Sequence, residues 1–125
     1  MERTFVLIGA ALMFLGVGAG AFGAHGLEAY FEQYPALADT FDTAVRYHMI
    51  HGLGVLLAAW ASNEWPDSGA DWAGILFLVG VILFSGSLYL LVFTRQNWLG
   101  AITPFGGIAF LGGWASLFVT AWRGW

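Results

Sequence analysis

The stretch WAGILFLVGVILFSGSLYLLVFT, Trp72 to Thr94, decides the fold, because it contains no Lys, Arg, Asp or Glu. A run of roughly 20 apolar residues crosses the ~30 Å hydrocarbon core of a bilayer as a helix. Two further runs share this property, Thr4 to Ala24 and Leu99 to Trp122. A fourth segment, about residues 44–62, is as apolar from Leu53 to Ala61 but carries Arg46, His48 and His51 at its beginning. Backbone amides in hydrocarbon need internal partners, and the strict alternation of a barrel strand is absent, so the segments are predicted to be helices. The expected fold class is all-α, an integral membrane four-helix bundle. It forms a single transmembrane domain over 1–125, with spans at about 4–25, 44–62, 72–94 and 99–122.

Composition points the same way. Of 125 residues, 59% are apolar and 10% charged, against about 25% charged in an ordinary soluble domain. What remains outside the spans is too little for a separate soluble core. The formal charge of −4 comes from eight acids that all lie in links or near the N-terminus, so nucleic acid is excluded as a partner of a basic surface. No cysteine is present, which removes disulfides and thiolate chemistry. The first apolar run exceeds the 7–15 residues of a signal-peptide core and is expected to be a retained span.

The first link, Gly26 to Thr43, holds Glu28, Glu32, Asp39 and Asp42 and is broken by Pro35. After Pro35, Leu37, Phe41, Ala44 and His48 recur at three- and four-residue steps, with Asp39, Asp42 and Arg46 on another face. This predicts a surface helix over about 36–46 that runs into the second span. Asn63 to Asp71 reads as a solvated turn and Arg95 to Asn97 as a tight one. Trp60, Trp65, Trp72, Trp98, Trp122 and Trp125 fall at span ends, as interfacial anchors do. Arginines divide two against two between the sides, Arg3 and Arg123 against Arg46 and Arg95. If Arg46 is held by Asp42, the balance tips towards cytoplasmic termini.

Small residues mark the packing faces. Gly16 and Gly20, with Gly23 beyond them, form a small-xxx-small arrangement that lets helix backbones approach. Gly106 and Gly107 are the counterpart in the last span. Ser85, Gly86 and Ser87 are read as interhelical glue, with a polar stripe lining a path as the alternative. Thr103-Pro104 fits either a kink or a helix that begins near Thr103 after a short interfacial piece. The run Gly52 to Ser62 also aligns with Gly106 to Ser116, ending in Trp-Ala-Ser in both. Two repeated helical hairpins would produce this.

Chemistry, if present, is expected at the first link, where His25 ends one span and Arg46, Tyr47, His48 and His51 begin the next. A hairpin brings all five to one membrane face. The ordinary reading has the histidines tying the loop to the helix ends and Arg46 pairing with Asp42 at i,i+4. Metal binding by His25, His48 and His51 is an alternative, as are a haem held by two histidines and a proton relay. No cofactor is assigned.

The strings GAFGAHGL (Gly20 to Leu27), TAVRYHMIHGL (Thr43 to Leu53), FSGSLYLL (Phe84 to Leu91) and GAITPFGGIAFLGGW (Gly100 to Trp114) resemble the small bacterial inner-membrane proteins grouped as domain of unknown function 423. The resemblance covers nearly the whole chain. It implies a multi-pass, four-span protein of the inner (cytoplasmic) membrane and brings no activity, cofactor or catalytic residue. It emphasises His25, Tyr47, His51, Ser85, Gly86, Ser87, Tyr89, Thr103 and Pro104; His48 lies outside the family pattern, which weighs against a three-histidine site. The expected function is non-enzymatic: an accessory or structural component that packs against other membrane helices. Its partners would be the lipid bilayer and a larger membrane complex or homo-oligomer. The alternative is an oligomeric small transporter or channel with Ser85, Ser87, Tyr89 and Thr103 along its path.

Overall fold

The computed structural model describes residues 1–124; Trp125, read above as an interfacial anchor, lies outside the described residues. The helices are α1 (Glu2–His25), α2 (Glu28–Gln33), α3 (Pro35–Glu64), α4 (Ala70–Gly80), α5 (Gly86–Thr94) and α6 (Thr103–Arg123). A π-helical turn, Val81–Ser85, joins α4 to α5, and a 3-10 turn, Asn97–Ala101, leads into α6. Local chemistry sets the breaks. Pro35 opens α3, where its missing N–H is not needed. Gly69 takes the left-handed conformation (φ +89°) immediately before α4.

The result is an all-α membrane bundle. Glu2–His25, Ala70–Thr94 and Asn97–Arg123 are long and apolar enough to cross a bilayer. α3, with 30 residues, is longer than any of them but carries Arg46, His48 and His51. α1 packs along α3, α3 along α4 and the π turn, and α4 along α6. This leaves α1 and α6 outermost. Phe5, Val55, Ala58, Ala73, Phe77 and Phe110 form the central buried cluster, while Leu27, Phe41 and Val92 form a smaller one beneath α2.

Large side chains seated on glycines hold both hairpins. On α1, a Cβ at Gly9 would come within 2.7 Å of Leu56, one at Gly16 within 2.7 Å of Met49, and one at Gly23 would strike Phe41. In the second hairpin Phe77 sits on Gly113, Phe110 on Gly80 and Phe84 on Gly106. Gly9, Gly16 and Gly23 are seven apart, as are Gly106 and Gly113. Seven-residue recurrence belongs to left-handed packing near 20°. The seam therefore departs from the Gly16–Gly20 motif, since a Cβ at Gly20 would rest at 3.6 Å from Val45, an ordinary contact. Gly86 and Gly107, expected in packing faces, are not: a Cβ at Gly86 would meet only its own helix at 3.9 Å, and one at Gly107 would meet nothing.

At two boundaries the structure is specific. α3 runs unbroken from Pro35, with Phe41 and Ala44 buried against the bundle and Asp39, Asp42 and Arg46 exposed on its other face. α6 begins at Thr103 after the 3-10 turn, so Pro104 sits in its first turn without a kink. The hairpins share a packing device, but the tryptophans that align between them differ in role. Trp60 packs on Trp65 near the end of α3 (5.3 Å between centroids), whereas Trp114 lies mid-helix on α6.

Candidate functional site

The polar cluster sits deep in the bundle. His48 Nε2 is 2.7 Å from the carbonyl of Leu12, halfway along α1, and His51 stacks on Phe110 of α6 with ring centroids 3.5 Å apart. Both histidines fall near the middle of the 30-residue α3. The expected convergence of five residues at one membrane face is therefore corrected: α3 starts at Pro35, which moves its midpoint to the histidines. His25 is exposed in the last turn of α1, far from both.

Hydrogen-bond partners fix opposite tautomers. A carbonyl only accepts, so His48 carries its proton on Nε2 towards Leu12 and receives the Tyr89 hydroxyl at Nδ1 (2.8 Å). His51 carries its proton on Nδ1 towards the Tyr47 carbonyl (2.8 Å) and accepts from Trp114 Nε1–H at Nε2 (3.1 Å). An indole N–H cannot accept, so a second proton on His51 would break the Trp114 bond. A tyrosine hydroxyl can reverse, so His48 could keep its partner on protonation. Each ring thus joins α3 to a neighbour: His48 to α1 and α5, His51 to α6.

A metal or haem iron would have to displace one protein hydrogen bond for each ring nitrogen it took from this arrangement. Among the described residues no group of three His, Asp or Glu is placed to hold a metal ion. His25, His48 and His51 are not brought together.

The serines act between helices. Ser85 is fully buried in the π turn and donates to the Ala44 carbonyl of α3 (2.7 Å). Ser87 Oγ donates to the Phe84 carbonyl (2.9 Å), within the same widened turn, and receives the Thr103 hydroxyl (2.7 Å). π turns disturb the i→i−4 ladder and recur at functional positions; here the turn brings the Phe84 backbone against Gly106. Ser87 and Thr103 bond each other, while Ser85 points to Ala44 and Tyr89 to His48.

One groove does open beside the cluster, between α3 and α6. It encloses about 590 Å³ and is walled by Tyr47, Ile50, His51, Phe84, Phe110 and Trp114, with Arg46 and Pro104 also on its lining. The Tyr47 ring packs at a tilt of 38° against Phe84, 4.6 Å between centroids, and its hydroxyl has no partner among the described residues. Arg46 donates to Asp42 at 2.8 Å, both side chains being largely exposed. α2 closes the same end of the bundle. Tyr30 donates to the carbonyl of Val92 (2.6 Å), one of the last four of α5 that no helical N–H can reach. Arg95 lies over the Tyr34 ring at 4.8 Å and bonds its hydroxyl.

Sequence reasoning missed Trp114, Tyr30 and Tyr34 as partners. The only available signal was that an indole or phenol inside an apolar run needs a hydrogen-bond partner.

The sequence pattern described as "Protein of unknown function (DUF423)" matches residues 19–107, the part that contains both α2 and the π turn. The chain is 41% identical over 122 residues to UPF0382 membrane protein SH2409 of Staphylococcus haemolyticus, covering 97% of both chains. It is 43% identical over 121 residues to UPF0382 membrane protein YwdK of Bacillus subtilis, covering 95% of this chain and 96% of that one. No solved structure matches it. With a matching pattern over most of its length and relatives aligned almost end to end, the chain belongs to the DUF423 family of membrane proteins.

Proposed function

We propose that this protein is a four-span component of the cytoplasmic membrane, with both termini in the cytoplasm, that acts without catalysis by packing against other membrane helices. The observation that carries the reading is the pairing of the interior polar groups. His48, His51, Ser85, Ser87, Tyr89 and Thr103 each bond a neighbouring helix, and such bonds act as glue in lipid. In this reading α3 crosses with the others, because α1 on one side and the continuous Ala70–Thr94 segment (α4, the π turn and α5) on the other are long and apolar enough to span and pack against it.

A surface that suits a partner helix is the outer side of α1. Leu7, Ala11, Phe14, Gly18 and Ala21 are all exposed there, and nothing lies within 4 Å of a Cβ built on Gly18. Larger complexes and homo-oligomers both fit such a face. A photo-crosslinking amino acid at Phe14, compared with one at the fully buried Phe77, tests the proposal in native membranes. A discrete protein adduct from position 14 alone is expected; adducts to lipid only would overturn it.

A further inference from the structure

We infer that the groove between α3 and α6 is a site for one zwitterionic aminophospholipid, an acyl chain lying in the groove and the headgroup on the exposed face of α3. The groove is apolar and aromatic along its length and opens sideways to lipid, and its roughly 590 Å³ is within the range of sites that hold a small ligand. Its bed includes Gly107, at which a Cβ would meet nothing within 4 Å.

Arg46 lines the mouth of the groove, and the charges on its face of α3 select the headgroup. Asp39, Asp42 and Arg46 are exposed and fall at i, i+3 and i+7, hence on one face of α3. At about 1.5 Å rise per residue, Arg46 lies about 10 Å further into the bundle than Asp39. The Arg46 guanidinium reaches outward to the Asp42 carboxylate, so the outermost charge on this face is the carboxylate of Asp39. An aminophospholipid has the same order, with its phosphate next to the chains and its ammonium towards water. Its phosphate would share the Arg46 guanidinium with Asp42, and its ammonium would meet Asp39 and Asp42. An anionic headgroup without an amine would meet the two carboxylates with no compensating charge. The unpartnered Tyr47 hydroxyl adds a donor beside the groove. Filling this site leaves the outer side of α1 free, so the lipid and a partner helix do not compete.

The test is native mass spectrometry of the purified full-length chain in neutral detergent, titrated separately with phosphatidylethanolamine and phosphatidylglycerol. Wild type is expected to hold one phosphatidylethanolamine roughly tenfold more tightly than phosphatidylglycerol, about the contribution of one charge-assisted hydrogen bond. Asp39→Asn combined with Asp42→Asn should remove most of that preference, whereas Arg46→Gln should weaken both lipids, because both carry the phosphate. Gly107→Leu should abolish retention while leaving helicity and thermal melting unchanged, because the added side chain enters open space. Equal or stronger retention of phosphatidylglycerol would overturn the assignment, as would wild-type retention by Gly107→Leu. A dimer that Gly107→Leu converts to monomer would also overturn it, because a second copy would then be the occupant.

Discussion

Gly106 and Gly107 are neighbours in sequence with opposite demands on space. A Cβ at Gly106 would strike the Phe84 backbone, with the Phe84 Cα at 2.7 Å, whereas at Gly107 nothing lies within 4 Å. A backbone cannot rotate away as a side-chain tip can. Gly106→Ala should therefore destabilise by about 1–3 kcal/mol, as overpacked cores do. Gly107→Ala should be neutral or stabilising by up to about 1 kcal/mol through helix propensity. Unfolding in mixed micelles, followed by circular dichroism, reads both. At His51 the bond from Trp114 joins two helices. Trp114→Phe should cost about 0.6–2 kcal/mol, with little further loss when combined with His51→Gln, because the pair acts as one unit. Additive losses would contradict the pairing. The histidines themselves were legible in the sequence, but their depth was not. Arg46 beside them suggested a span end, while the helix start at Pro35 determined where the middle fell.

Among the elements, α2 is short and is held by side chains rather than by its own length. Its Tyr30 caps the end of α5, and Tyr34, which follows it, stacks with Arg95. Tyr30→Phe should raise hydrogen exchange over residues 28–34 several-fold while leaving global melting nearly unchanged, since the lost bond is worth about 1 kcal/mol and lies at the edge of the bundle. A uniform rise in exchange across all helices would show instead that α2 nucleates the fold. The apolar runs behind α1, α4–α5 and α6 were plain in the sequence because no charge interrupts them. The π turn was not, since Gly80 and Gly86 around it look like any other glycines of a membrane helix. Gly16 and Gly20 suggest the four-residue motif in the sequence, whereas α3 seats Leu56, Met49 and Phe41 on Gly9, Gly16 and Gly23, a register set by the large residues of the partner helix.

For the molecule as a whole, the proposed four spans would put the α3–α4 link with the termini and both other links on the opposite side. The chain has no cysteine, so single cysteines report topology cleanly. With an impermeant thiol reagent, Asn63→Cys should label only from the cytoplasmic face, and Gln33→Cys and Gln96→Cys only from the other. Labelling of all three from one side would contradict a spanning α3. Polar groups inside join neighbouring helices, and large apolar side chains cover much of the outside. The most direct measurement is purification of the tagged protein at native expression level from its own membranes, with quantitative mass spectrometry of accompanying proteins. The accessory role predicts a stoichiometric membrane-protein partner that is lost when Gly18→Phe alters the outer side of α1. Recovery of the chain alone with lipid, at every detergent mild enough to preserve known membrane complexes, would contradict it.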